Sequence, residues 1–310
     1  MKIAFLFSGQ GSQYSGMGEE LFKIYPQAQS LYDFGSEVLG FDIKKVCFDG
    51  PDEQLSKTLV SQPAIFVTSL LALNVAKANG INCDVVAGHS LGEYAAMVAS
   101  DMLSVEDGFK VITARAIAME RCAQEHDGAM YAIVGCDAET VEKVCEEMKG
   151  YTIPVNYNSA KQTVIAGESK ATENVANKFI ELGFRAIKLN VSAAFHSELM
   201  RGAAVEFENA IQDIKFNKPS RPFYSNVYGK ELTDFDNIPA YLAKHLMSPV
   251  HFTDELAAMS SNGVDTFIEL GPGKVLSGLI KRTLKGSTVL NIEDEKSYQK
   301  TLSVLTQQGE

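Results

Sequence analysis

Ser90 stands at the apex of Gly88-His89-Ser90-Leu91-Gly92, a Gly-x-Ser-x-Gly pattern that can carry nucleophilic chemistry. An apolar run, residues 85–87, precedes it and reads as a buried strand, and residues 93–99 read as a helix. A strand, a tight turn and a helix are the context in which this pattern presents a serine hydroxyl above a sheet. The two glycines flank the turn, where a Cβ would collide with a neighbouring strand or helix. The helix N-terminus then points at whatever reacts there. The other reading is an ordinary Gly-Ser turn. A serine alone is a weak nucleophile, so catalysis requires a base, an oxyanion hole and a substrate clamp elsewhere in the chain.

Among the five histidines, position separates the candidates for the base. His89 lies inside the turn itself. His126 closes a helix, where the dipole favours a cation without any catalytic role. His245 and His251 flank Ser248-Pro249. His196 sits in a loop between a strand end and a helix start, the best placement for a base; its alternative is a helix-initiating surface histidine. A carbonyl oxygen can hold the Nδ1–H of such a histidine in place of a carboxylate, leaving Nε2 to accept the serine proton. Arg115 recurs with Gly108, Val111, Ile112, Met119 and Cys122 at helical spacing along one apolar face. A guanidinium there needs an anion, because burying an unpaired charge is very costly. That anion is either a substrate or an acidic residue of the core. The polar loop 8–13, Ser-Gly-Gln-Gly-Ser-Gln, closes a first apolar strand at residues 3–7, where ligands bind in α/β sheets. It lacks the GxxxxGK[ST] spacing of a phosphate loop.

The elements that must position these residues follow from periodicity and punctuation. Residues 17–39 read as a helix broken at Pro26, and Ser61-Gln62-Pro63 as an N-cap opening a helix over 64–79 that ends at Gly80. Ser104-Val105-Glu106-Asp107 resembles a capping box that opens the Arg115 helix, running to about Gln124. From 128 to 190 the order is strand, helix, strand, strand, helix, strand, a ferredoxin-like βαββαβ unit inserted in the chain. Beyond it, a helix to about Ile214, a strand over 222–227, a helix over 239–247, a strand over 266–270, a helix to Lys285 and a strand over 288–291 are expected.

Composition bounds the function. The chain has 310 residues, enough for one large core or a core plus a smaller insert. A formal charge of -11 argues against nucleic acid as a partner, and it requires any acidic partner to dock on a local basic patch. Five cysteines, odd in number and without a CxxC pair, fit free thiols in a reducing cytoplasm and suggest no metal site. The N-terminal apolar run is too short for a signal peptide core. No segment is expected to approach the roughly 18–20 apolar residues of a membrane span.

Taken together, Gly9-Gln10-Gly11-Ser12-Gln13, Gly88 to Tyr94, Arg115 with Met119, Asn158-Ser159, Phe195-His196-Ser197 and Gly271-Pro272-Gly273-Lys274-Val275 carry a resemblance. In this order they resemble the malonyl-CoA:acyl carrier protein transacylases of type II fatty acid synthesis, over essentially the whole chain. The resemblance implies an α/β fold: an α/β-hydrolase-like core with a mostly parallel sheet, formed by 1–127 and 191–310, plus the ferredoxin-like subdomain at 128–190. It implies Ser90 as nucleophile, His196 as base, and the N–H groups of Gln10 and Leu91 as oxyanion hole. Arg115 would hold the malonyl carboxylate, with Met119 and Phe195 lining the substrate site. The family orients its histidine through a main-chain carbonyl in the segment that here reads Lys244-His245-Leu246-Met247-Ser248-Pro249, and many relatives have Gln where this chain has His245. In related polyketide acyltransferases, Leu after the serine and Phe before the histidine accompany malonyl rather than methylmalonyl.

The implied activity is ping-pong transfer of malonyl from malonyl-CoA to the phosphopantetheine thiol of acyl carrier protein. No metal and no resident cofactor are expected, the phosphopantetheine being carried by the partner. The expected protein is a cytoplasmic monomer that binds neither nucleic acid nor membrane. Lys281, Arg282 and Lys285, or Lys161, Arg185 and Lys188, could form the local basic patch that an acidic carrier needs. A serine thioesterase or esterase of α/β-hydrolase type is the alternative, although it would leave a buried Arg115 without a role. A docking subunit that keeps the fold without the chemistry is a further one; it would be expected to have lost Ser90, His196 or Arg115.

Overall fold

The computed structural model describes residues 1–191 and 193–309; Ser192 lies outside the described residues. The chain divides into two compact units. The first comprises Met1–Ala116, Ile214–Ser225 and Met259–Glu310, and the second Ile117–Asp213 and Asn226–Ala258.

The first unit is built on a parallel sheet. Its order is Thr288–Ile292, Thr266–Leu270, Ile3–Phe7, Val85–Gly88. Ile3–Phe7 and Val85–Gly88 are continuous apolar runs, and Thr266–Leu270 is buried along its whole length although it carries Thr266 and Glu269, because both faces of a parallel sheet are covered. The register pairs Phe7 with both Gly88 and Leu270, so the loops that follow these strands emerge at one edge. The expected strand at 222–227 is reduced to Tyr224–Ser225, next to a single parallel bridge between Phe223 and Val86.

Two expectations about residues 58–78 are corrected. Ser61 is not an N-cap: the helix runs Thr58–Ala78, with Lys57 before it and Pro63 inside. Pro63 removes the N–H that Leu59 would otherwise accept, and Leu59 is exposed, so water can satisfy its carbonyl. The same helix is long and apolar enough to cross a membrane, against the expectation that no segment approaches this, yet 83% of that window is buried in the protein. It is a core helix, apolar around most of its circumference because most of it is packed. Its C-terminus closes where expected, with Gly80 at φ 73 and the Ile81 N–H returning to Ala76 O.

Pro26 breaks the early helix into Glu19–Ile24, a 3₁₀ turn Pro26–Ala28, and Gln29–Leu39. Helices Ile43–Asp49, Asp52–Leu55 and Glu295–Gly309, not anticipated from the sequence, also belong to this unit. The helix Val275–Thr283 is capped from outside: Glu269 accepts the N–H groups of Leu276 (3.0 Å) and Ser277 (2.7 Å). Burial pushes the Glu269 carboxyl up to about 7 against those donors.

In the second unit four strands form an antiparallel sheet in the order Thr152–Ser159, Gln162–Glu168, Gly128–Val134, Arg185–Lys188. With helices Ala138–Glu147 and Ser169–Glu181 this is the split-βαβ arrangement. Asp137 caps the first helix by accepting the Thr140 N–H at 3.0 Å. Ile133, Val141, Cys145, Ile165, Val175 and Phe179 fill the space between sheet and helices. The unit also takes in 117–127, 191–213 and 226–258, and so is wider than the 128–190 segment. Val250 joins the sheet edge, accepting from Tyr157 and donating to Val155. The helices Arg201–Ile211 and Ile238–Met247 pack on each other, and Phe252–Ser261, not anticipated from the sequence, follows.

Candidate active site

Ser90 has φ 52, a left-handed conformation that a residue with a Cβ holds only when its surroundings enforce it. They do so at both flanks. A Cβ on Gly88 would lie 2.0 Å from the Gly92 carbonyl carbon, and one on Gly92 would lie 2.1 Å from Phe7 O. Strand and helix therefore approach at distances only glycine permits. The turn closes through Gly92 N–H to His89 O and Glu93 N–H to Ser90 O.

The glycine-rich loop after Phe7 packs against this turn. A Cβ on Gly9 would be 2.6 Å from His89 O, and Ser12 Oγ donates to Gly9 O at 2.7 Å. Gln10 and Leu91 are thus carried by two loops in direct contact. Among the described residues neither backbone N–H has an intramolecular acceptor, which leaves both donors for a ligand.

Arg115 is 1% exposed on the helix Val105–Glu125. Its Nη1 donates to Gln62 Oε1 at 2.8 Å and its Nη2 to Ser90 Oγ at 3.1 Å. The guanidinium carbon lies 5.4 Å from the centre of the Tyr94 ring. Among the described residues no carboxylate is within ion-pair distance of it, and Nε finds no acceptor. The reading of Arg115 as half of a structural salt bridge is therefore set aside. Burial lowers the guanidinium pKa, and the same burial raises that of the Tyr94 hydroxyl. The site holds a desolvated cation beside a serine oxygen.

The second unit holds a different cluster. His196 is 3% exposed with φ 63, its N–H donating to Leu246 O at 3.1 Å. Its Nδ1 lies 3.1 Å from His245 O and 3.0 Å from Ser248 O. Carbonyl oxygens only accept, so Nδ1 carries the hydrogen and Nε2 presents its lone pair. Phe195 beside it is buried, and Ser197 Oγ donates to Ala194 O at 2.6 Å. Met119 is buried one helical turn beyond Arg115 along Val105–Glu125.

Ser90, Leu91, Gln10 and Arg115 thus belong to the first unit, and Met119, Phe195, His196 and His245 to the second. The sequence reading did not single out Gln62, the partner of Arg115. A signal was available: Gln62 carries a long polar side chain in a helix that is mostly apolar, and it is fully buried. Asn226 and Glu255, both fully buried near His245, were missed as well.

The chain matches the acyl transferase domain family over residues 4–303. With the parallel sheet and the serine turn, this defines the class: an α/β acyltransferase. It is 38% identical over 313 residues to the malonyl CoA-acyl carrier protein transacylase of Bacillus subtilis (strain 168), covering 100% of this chain and 99% of the relative. The corresponding protein of Escherichia coli (strain K12) is 36% identical, with 98% and 99% covered. Among solved structures, that of the malonyl CoA-acyl carrier protein transacylase from Clostridium perfringens has a TM-score of 0.95 at 40% identity, covering 100% of this chain and 98% of that one. A malonyl-transacylase in complex with its type II polyketide acyl-carrier protein gives 0.94 at 33% identity, covering 98% and 100%. The chain belongs to the malonyl-CoA:acyl carrier protein transacylase family.

Proposed function

We propose that this enzyme moves malonyl from malonyl-CoA to the phosphopantetheine thiol of an acyl carrier protein, through a malonyl ester on Ser90. The observation that carries the reading is Arg115: a buried guanidinium with no carboxylate at ion-pair distance among the described residues, donating to the Ser90 oxygen. A substrate with a free carboxylate satisfies its fork bidentately, and Nε or Nη donors then point at oxygen. Acetyl-CoA would leave the cation unpaired, which a site of this kind penalises heavily.

In the first half-reaction Ser90 Oγ attacks the thioester carbonyl while His196 Nε2 takes its proton. The N–H groups of Leu91 and Gln10 stabilise the oxyanion, at roughly 3 kcal/mol each by comparison with other oxyanion holes. Collapse breaks the C–S bond, and His196 returns the proton to the CoA sulfur. In the second half the phosphopantetheine thiol attacks malonyl-Ser90, His196 takes the thiol proton, and Ser90 leaves protonated. Each half exchanges one acyl group and one proton, so the cycle balances without an electron donor or acceptor, and we assign no resident cofactor. By the family resemblance, Leu91 after the serine and Phe195 before the histidine go with a linear rather than a branched acyl group.

The carrier protein is the partner in this reading. Exposed Lys281 and Arg282 on Val275–Thr283, with Lys285, offer one basic docking face, and Lys161, Arg185 and Lys188 another. A cytoplasmic monomer with five free thiols is part of the same proposal. The test is intact-protein mass after exposure to malonyl-CoA. The wild type gains a malonyl group and Ser90→Ala does not; an undiminished adduct in the variant sinks the mechanism.

A further inference from the structure

Beside His196 runs a chain of buried side chains that the transfer steps leave unused. His245, Asn226 and Glu255 are each 0% exposed. His245 sits in the last turn of Ile238–Met247, Asn226 follows Ser225, and Glu255 comes from Phe252–Ser261. His245 Nε2 lies 3.2 Å from Asn226 Oδ1, and Asn226 Nδ2 donates to Glu255 Oε1 at 2.8 Å. A carboxylate only accepts, so the amide turns its NH₂ to Glu255 and its oxygen to His245, which places a hydrogen on His245 Nε2. The His245 ring centre is 5.4 Å from that of His196, and its other face lies parallel to Tyr241 at 6.4 Å.

Two charged groups beside this chain in sequence have partners of their own. Asp254, next to Glu255 in sequence, pairs with His251 Nδ1 at 3.3 Å. His251 stacks on Tyr157, and its backbone N–H donates to Asn226 O. Lys244, next to His245, is exposed and lies over the Tyr228 ring.

On the reading that His196 is the base, we infer that His245 is a positioning residue for it through its side chain as well as its carbonyl. The imidazole–amide–carboxylate chain fixes the helix end whose carbonyl holds His196 Nδ1–H. A fully buried carboxylate is costly without a counter-charge, and His245 is the base that Asn226 links to Glu255. A proton on His245, so close to His196, opposes a second proton there. His196 Nε2 therefore stays able to accept a proton at lower pH than it would beside an uncharged neighbour.

The experiment is the pH profile of kcat/KM for malonyl transfer by wild type, His245→Gln and Glu255→Gln, each checked for folding by thermal melt. Gln keeps the main-chain carbonyl and an amide donor toward Asn226 but takes up no proton. The acid limb moves up by about one pH unit in both variants, a loss of about tenfold below the limb with little change above it. Should His245→Gln not fold, Glu255→Gln reads the same limb with the imidazole in place. An unmoved limb, with rates lowered evenly at every pH, overturns the inference alone. A wild type that transfers no malonyl overturns the inference together with the reading on which it rests.

Discussion

Replacing Arg115 by alanine removes a buried cation that donates to the Ser90 oxygen. Two charge-assisted hydrogen bonds from a desolvated guanidinium to a carboxylate are worth roughly 1.5–3 kcal/mol each. Losing both costs about 3–6 kcal/mol, on the order of 10²- to 10⁴-fold in kcat/KM for malonyl-CoA. Acetyl-CoA loses nothing, since it has no carboxylate, and gains because it no longer strands a charge. The ratio of the two therefore collapses toward about one. The fold should survive, because among the described residues no carboxylate pairs with Arg115; Gln62 Oε1 and Ser90 Oγ each lose one donor, at about 1 kcal/mol apiece. Arg115→Lys keeps the charge but not the fork, and should retain part of the preference. The assay is kcat/KM for each thioester with the same holo carrier protein, alongside a thermal melt. A folded Arg115→Ala that still prefers malonyl by the wild-type margin would refute the clamp.

Two further outcomes follow from the same geometry. Gly92→Ala places a Cβ 2.1 Å from Phe7 O, a backbone atom that no rotamer change can move aside. It should lower the melting temperature by many degrees and abolish the malonyl adduct, and a variant as stable and active as wild type would contradict the close approach. Glu269 titrates at about 7 when folded, against an ordinary 4.5. A raised carboxyl pKa means the folded state holds the proton more tightly, so its contribution is fully present below the unfolded value and is lost as pH rises through 7. That amounts to about 3 kcal/mol between roughly pH 4.5 and pH 8. Denaturant unfolding across this range should show a steeper decline in wild type than in Glu269→Gln; equal slopes would contradict it.

The sequence disclosed the elements whose local pattern carries their fate. Gly88 and Gly92 mark a turn because only glycine tolerates the approach, and that is a property of a five-residue stretch. The Arg115 stripe announced its buried face, since Gly108, Val111, Ile112, Met119 and Cys122 share it and are all buried. The residues that went unread depend on tertiary burial. Gln62 looked like part of an N-cap because Pro63 suggests a helix start, whereas packing extends the helix back to Thr58. Asn226 and Glu255 lie 29 positions apart and meet only when Phe252–Ser261 folds back. Glu295–Gly309 also went unread, although Tyr298 and Thr301 on it are buried. Its readable mark was the cap, Asp294 accepting the Ser297 N–H at 2.7 Å.

The most direct test is a chase. Protein loaded from malonyl-CoA is freed of excess donor and mixed with holo acyl carrier protein, and both proteins are followed by intact mass. The malonyl group is expected to leave Ser90 and appear on the carrier's phosphopantetheine thiol, with none released as free malonate on that timescale. Loss of the adduct at the same rate with and without carrier, yielding free malonate, would contradict it and make the protein a thioesterase.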